Sequence, residues 1–277
     1  MPELPEVETI KNDLLTKVIG SQIIEVSYTD GGEKLKYKFK QNLANLITGE
    51  RIAGIERRAK YLYFHLSGGK ILVVHLKMTG QILIRKSSTT SDQNTRIIFV
   101  LDDGREIRFT DRNDFGEIFL VEDVARIEDQ LGPDPFEASY QQFENNLRSS
   151  KSGTIKEALL DQKIIAGVGN IYADEALYTA GINPFKSPKS LSENEIQRLL
   201  NSTKEVLNDG LTHRGTTIDT FRDTDGKPGS HQFHLLVYGK AGKPCKKCAT
   251  KIVYTEIKGR RTHFCPTCQP KEQLSLF

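Results

Sequence analysis

Four cysteines, spaced Cys245-x2-Cys248-x16-Cys265-x2-Cys268, are the only ones in the 277-residue chain and all lie near its C-terminal end. Two pairs with two residues inside each can close a tetrahedron around Zn2+, because the short gap lets both thiolates of a pair turn back on one metal. Two disulfides would need an oxidising compartment. The opening MPELPEVETI carries three Glu where a secretory leader would carry Lys or Arg before an apolar stretch, so an intracellular, cytoplasmic location is expected. Four protein ligands leave no open coordination position, so Cys245, Cys248, Cys265 and Cys268 are expected to hold one structural zinc ion that folds the tail and takes no part in chemistry.

Charge is divided along with the cysteines. Residues 239–271 hold nine basic side chains against Glu256 alone, a balance of +8, whereas the remaining chain carries −5. A cationic tail on a mildly acidic body fits a polyanionic partner held by one region. Between the cysteine pairs, 251–257 and 262–265 read as two short strands around Lys258-Gly259-Arg260-Arg261, which would put two guanidiniums at a hairpin tip. Apolar runs reach only 71–74 and 97–101, far short of the ~18 residues of a spanning helix, so no membrane partner is expected.

The first ~130 residues are strand-like, a length that suits one domain. Segments 22–29, 51–57, 60–66, 70–76, 81–85, 95–101, 106–110 and 117–121 are rich in Ile, Val, Tyr and Phe, with Ser67-Gly68-Gly69 and Asp102-Asp103-Gly104 as turns between them. Many short strands at this spacing build a sandwich or a barrel. One helix precedes them, with Pro5 at its start and Val7, Ile10, Leu14 and Val18 on one stripe. A polar, Ser/Thr-rich loop is expected at 86–94. Leu131-Gly132-Pro133-Asp134-Pro135 marks a boundary, after which the period turns helical: 140–147, a helix opened by the capping box Thr154-x-x-Glu157, 170–180 ending at Gly181, and a helix of roughly fifteen residues opened by Ser192-x-x-Glu195. Residues 212–236 read as a long mobile loop. The expected division is therefore 1–131, 132–238 and 239–277.

Two motifs stand out chemically. Gly167-Val168-Gly169-Asn170 opens a helix, so its backbone and the helix N-terminus can receive an anion; equally, it can be a tight interhelical turn. It lacks the third glycine and the preceding strand of a dinucleotide fingerprint. At the other end, removing Met1 would turn Pro2 into a secondary amine with a reference pKa near ~8, partly neutral and nucleophilic at pH 7. Glu3 and Glu6 beside it can move protons, or can simply be a favourable helix start.

The opening PELPEVE, the segment His75-Leu76-Lys77-Met78-Thr79-Gly80, GVGNIYADE at 167–175 and Gly259-Arg260-Arg261-Thr262-His263-Phe264-Cys265 together resemble formamidopyrimidine-DNA glycosylases, in the same order and over essentially the whole chain. The resemblance implies an α+β fold: an N-terminal helix with a two-layer antiparallel β-sandwich, then a helix-two-turn-helix domain and a four-Cys zinc finger. It implies a base-excision repair enzyme that works as a monomer on damaged double-stranded DNA, without a diffusible cofactor, in a bacterial-type cytoplasm beside the nucleoid. Pro2 is similar to the family nucleophile, whose amine attacks C1′, displaces an oxidised purine and forms an iminium that allows β- and δ-elimination. Glu3 resembles the acid that protonates the sugar oxygen, Glu6 a supporting carboxylate, and Lys60 the lysine that grips phosphate and assists elimination. His75, Asn170 and Arg260 match phosphate contacts, Arg260 being counted with the catalytic group, and Lys156 matches a position near the lesion.

Extruding the base leaves a hole in the duplex. In the family Met, Arg and Phe fill it; Met78 and Phe115 match the first and third. The family pattern Asp-x-Arg-x-Phe-Gly is here Asp111-Arg112-Asn113-Asp114-Phe115-Gly116, so Asn113 stands where an arginine reads the cytosine opposite the lesion. Asn lacks the cationic fork, and Arg112, one position off, would point to the other face if it lay on a strand. A weakened preference for cytosine is expected. Thr216-Thr217 and Gly226-Lys227-Pro228-Gly229 match the family's lesion loop, while Ser230-His231 does not match its usual aromatic. The competing readings are an endonuclease VIII-like enzyme for oxidised pyrimidines and a catalytically silent damaged-DNA binder.

Overall fold

In the computed structural model, residues 1–29 and 42–271 are described, and they form two compact units: 1–29 and 42–127 with 210–232, and 128–209 with 233–271.

The first unit begins with helix α1 (Leu4–Lys17), whose start is a reciprocal capping box between Glu3 and Glu6. Its stripe of Val7, Ile10, Leu14 and Val18 is wholly buried against two four-stranded antiparallel sheets. One sheet has the order β1 (Ile23–Tyr28), β6 (Thr95–Leu101), β7 (Arg105–Asp111), β5 (Gly80–Lys86); the other runs β2 (Ile52–Arg58), β3 (Tyr61–Leu66), β4 (Ile71–His75), β8 (Glu117–Val121). A short helix α2 (Leu43–Ile47) adds Leu43 and Ile47 to the same core. All eight expected strands are present, and on β6 the buried Thr95, Ile97, Phe99 and Leu101 alternate with the partly exposed Arg96, Ile98 and Val100, the period of a strand with one face on the core. Each buried aliphatic side chain contributes about 1.5–3 kcal/mol over its exposed state.

Residues 210–232 belong to this unit and are not a loose tether. Phe221 enters the sandwich core, the Ile84 N–H donates to the Thr224 carbonyl at 2.8 Å, and Gln81 Nε2 donates to the Thr220 carbonyl at 2.5 Å. The polar groups that make the segment read as a loop are satisfied by the sheet and by α1.

Helix α3 (Ala125–Glu128) closes the first unit, only its last residue counting with the second, which holds α4 (Tyr140–Ser149), α5 (Ile155–Leu160), α6 (Asn170–Ala180) and α7 (Glu193–Thr212) as far as Asp209, followed by the hairpin β9 (Val253–Ile257) and β10 (Arg260–Phe264). Ser139 and Thr154 cap α4 and α5 through capping boxes, and Gly181 ends α6 in the left-handed region at φ 68°. α7 runs 20 residues, longer than expected, because its amphipathic pattern continues past Leu207. The hairpin corrects another expectation. Ile257 pairs with Arg260, so the turn is Lys258-Gly259 alone, both with positive φ (48° and 72°), as a two-residue hairpin turn of this hand requires. Arg260 and Arg261 are therefore the first two strand residues, on opposite faces, and not both at the tip.

Candidate functional site

Pro2, Glu3 and Glu6 are all buried, Glu3 at 2% and Glu6 at 1% exposure, while Met1 remains half exposed. The Glu6 carboxylate joins two distant segments. One oxygen accepts the Glu3 N–H at 2.7 Å; the other accepts the Thr216 N–H, also at 2.7 Å. Close approach demands Gly215: at φ 84°, a Cβ there would come within 2.9 Å of Glu6 Cγ and of the Phe221 ring. Thr216 is fixed in turn by His231, whose Nδ1 lies 2.8 Å from its hydroxyl. His231, which departs from the expected aromatic, thus has a buried polar partner.

Lys60 occupies the second position of the two-residue turn joining β2 to β3, after Ala59 at φ 54°, and is 7% exposed. His75 ends β4 directly across the ladder from Tyr61, with its ring edge-on to the Tyr61 ring at 4.5 Å. Its Nδ1 accepts the Lys77 N–H at 3.0 Å, which puts the proton of the neutral ring on Nε2 and makes that edge a donor. Strand pairing therefore brings Lys60 and His75 to one end of one sheet.

Met78 and Phe115 are large apolar side chains left half exposed, at 52% and 50%. Asp111, fully buried at the end of β7, ties their two loops together: it accepts from the Thr79 hydroxyl, from the Asn113 N–H at 3.2 Å and from the Gly116 N–H at 2.7 Å. A Cβ at Gly116 would meet Phe109 at 2.4 Å, so only glycine fits. Asn113 and Arg112 lie in the bend after β7, not on the strand, so strand alternation does not decide where Arg112 points. Arg112 is exposed and its Nη2 reaches Asp219 at 2.8 Å. A polar cleft of about 350 Å3 adjoins it, lined in part by Thr79, Gln81, Arg85 and Arg222. Ala59, Lys77 and Asp114, the residues immediately before Lys60, Met78 and Phe115, all have positive φ, the kind of backbone strain that concentrates where side chains are aimed for function.

In the second unit Gln162 braces the turn before α6, accepting the Gly167 N–H at 2.9 Å and donating to the Val168 carbonyl at 2.9 Å. Asn170 at the start of α6 donates from Nδ2 to the Arg261 carbonyl at 2.9 Å, so the helix N-terminus and the hairpin are in contact. Arg260 is exposed and forms no ion pair among the described residues. Lys156 departs from its expected place at a ligand: it is completely buried, its Nζ donating to the Asn170 carbonyl at 2.9 Å and to Asp174 at 2.5 Å. The Thr154 cap sets α5 so that this side chain points inward. Asp174 also accepts the His263 N–H at 2.8 Å, and Glu175 accepts three N–H groups, of Leu236, Val237 and Tyr238. Burial pushes the Glu175 carboxyl up, with those three donors pulling the other way. Asp111, Asp174 and Glu175 lie inside the quoted motifs and Gln162 outside them, and the sequence assigns none of the four a role, because it marks residues that face a ligand more readily than those that brace them.

The four cysteine sulfurs lie within 4.8 Å of one another, with Cys245 to Cys268 at 3.8 Å and Cys248 to both Cys265 and Cys268 at 3.5 Å. Four Zn–S bonds of about 2.3 Å at tetrahedral angles require sulfurs about 3.8 Å apart, so the cluster fits one zinc ion. The Tyr178 hydroxyl on α6 meets Cys245 Sγ at 3.1 Å. Burial opposes ionisation of Cys245, but Tyr178 and the N–H groups of Lys247 and Cys248 outweigh it and bring the thiol down to about 6. Burial and the neighbouring thiols push Cys268 up to about 12.

Three family models match in series: the formamidopyrimidine-DNA glycosylase N-terminal domain over residues 1–118, the H2TH domain of the same proteins over 131–222, and the zinc finger found in FPG and IleRS over 242–271. A formamidopyrimidine-DNA glycosylase of Herpetosiphon aurantiacus is 41% identical over 272 residues, covering 97% of this chain and 100% of that one. Among solved structures, a Lactococcus lactis FPG variant in complex with Fapy-dG-containing DNA is 34% identical with a TM-score of 0.89, covering 98% of this chain and 100% of that one. MutM in complex with DNA containing carbocyclic 8-oxo-G is 34% identical, with a TM-score of 0.88 and the same coverage.

Proposed function

The chain belongs to the formamidopyrimidine-DNA glycosylase family, and from that premise we propose how its residues divide the work. It is a base-excision repair enzyme that releases oxidised purines from double-stranded DNA and cleaves the resulting abasic site, with one structural zinc ion in its finger. Pro2, freed of Met1, is the nucleophile: its amine attacks C1′, the base leaves, and the iminium that forms acidifies the C2′ proton so that β- and then δ-elimination release both phosphates. Glu3 protonates the sugar oxygen as C1′ is attacked. Glu6 positions both: through the Glu3 N–H it holds the peptide bond joining Pro2 to Glu3.

Lys60 and the Nε2 edge of His75 take lesion-strand phosphate, and Lys60 assists elimination. Met78 and Phe115 fill the vacated stack, a use for which half-exposed apolar wedges are suited. Asn170 and Arg260 grip phosphate from the second unit, with Lys156 as a positioning residue beneath Asn170. Asn113 and Arg112 face the opposite strand with less discrimination than an arginine fork at 113 would give. The chain works in this reading as a cytoplasmic monomer. In the domain division 1–131, 132–238 and 239–277, the first segment supplies the nucleophile and the acid and the other two the DNA grip, while residues 210–232 of the second return to the first unit to close over Glu6.

The observation that carries the reading is the buried Pro2–Glu3–Glu6 cluster with Gly215 and Thr216 closed over it. Borohydride trapping tests it: duplex containing 8-oxoguanine should yield a covalent adduct through the N-terminal proline. No adduct with either a purine or a thymine lesion would leave a binder, and adduct chiefly with the thymine lesion would favour oxidised pyrimidines. Mass spectrometry showing Met1 retained in active material would remove Pro2 from the mechanism.

A further inference from the structure

We propose that the finger hairpin carries a second DNA contact, made by Tyr254 and Arg261, which takes one unstacked nucleotide of a single-stranded segment: base on the tyrosine ring, phosphate on the guanidinium. It deepens the repair reading above and rests on it. Tyr254 and Arg261 share one face of the ladder, Tyr254 opposite His263 and Arg261 opposite Glu256, and the Arg261 guanidinium lies 5.4 Å from the Tyr254 ring centre. Both side chains are exposed, Tyr254 at 60%.

The pair is held from behind. His263 packs against Tyr254 at 6.2 Å and against Tyr238 at 4.9 Å, and its N–H and ring are fixed by buried Asp174. A row of rings thus runs from a buried carboxylate outward, and its last member ends in water. Glu256 is the acid best placed to neutralise Arg261, yet Arg261 forms no ion pair among the described residues. An exposed cation resting on an aromatic ring, in a segment with nine basic side chains to one acidic, is complementary to a polyanion.

The chemistry narrows the partner further. Bases inside a duplex hide their faces in the stack, so an open tyrosine ring gains full stacking only from a nucleotide already unstacked, and every base offers such a face. Arg260, the adjacent residue, points to the opposite side of the strand. The two guanidiniums therefore serve separate contacts, Arg260 on the lesion duplex and Arg261 on the single strand.

The test compares the zinc-loaded full chain on two DNAs by fluorescence anisotropy: a blunt duplex with 8-oxoguanine, and the same duplex with a short oligothymidine tail. The tail should tighten binding by about tenfold, the stacking of a single base. Tyr254→Leu should abolish that gain while leaving blunt-duplex binding and base release unchanged; Tyr254→Phe should keep it. Arg261→Gln should lower the salt slope on tailed DNA by about one. A native chain that gains nothing from the tail overturns the proposal, as does a Tyr254→Leu chain that weakens equally on both DNAs. A native chain that neither binds nor cuts the blunt lesion duplex would be a different failure, that of the repair reading itself.

Discussion

Glu3 is 2% exposed with its N–H given to Glu6, so an amide can replace its carboxyl without disturbing the helix start. Glu3→Gln is therefore expected to abolish release of 8-oxoguanine from intact duplex while leaving cleavage of a preformed abasic site, where no base has to depart; a gel assay on both substrates separates the two activities. Asn113 offers the converse gain. Its backbone is pinned by Thr79 and Asp111, so an arginine introduced there would start from a fixed point. A bidentate arginine–base pair discriminates by about 1–3 kcal/mol, and Asn113→Arg should raise the preference for cytosine over other opposite bases at least several-fold in competition assays. Equal or better selectivity in the native chain would show that Arg112 or another group already reads that base. At this scale spacing alone marks the cysteines, and Pro2 and Glu3 stand out only through the family resemblance, whereas the bracing by Asp111 and Asp174 becomes visible only once distant N–H groups converge on them.

Secondary elements were legible where one face is apolar. All eight sandwich strands and the capped helices follow from side-chain alternation and from Ser and Thr caps. The hairpin end was not, because Arg260 and Arg261 carry no apolar signal and pairing alone draws them into the strand. The 86–94 loop hides a second device. Arg108 on β7 is 2% exposed and donates to Glu106, Asp92 and the carbonyls of Thr89 and Thr90. Arg108→Leu would strand the Glu106 carboxylate and two carbonyls, Asp92 keeping Arg85, and should cost about 3 kcal/mol of unfolding free energy in urea titrations. On α1, burial would raise the Glu8 pKa, but Lys11 and Arg57 prevail and hold it below 4.5. A lowered carboxylate stabilises the fold above its unfolded value and loses that contribution as pH falls through the folded one. Stability should therefore decline below about pH 4.5, with a shallower decline in Glu8→Gln, read from melting temperatures across pH 3–6.

For the whole molecule, the division into two units shapes what metal loss should do. Tyr178 couples the cysteine cluster to α6, and Asn170 and Asp174 couple that helix to the hairpin. Chelation under reducing conditions should therefore abolish DNA binding and lower the melting of the second unit while the sandwich transition stays in place, a split that calorimetry resolves. Reloading zinc at pH 7 should release protons, since Cys268 sits up at about 12. Charge asymmetry and cysteine spacing announced the finger. What they could not announce is that residues 210–232 return to the first unit, because contacts so far apart along a chain leave no local periodicity.

That return sets an order on the protein's own manufacture. Chains grow from the first residue, so the amino end leaves the ribosome while most of the polypeptide is still unmade. Glu6 must then wait for a partner amide 210 positions downstream. The buried start of α1 is made long before it is clasped, and translation arrested before Thr216 would release a fragment bearing Glu6 but not the amide that it holds.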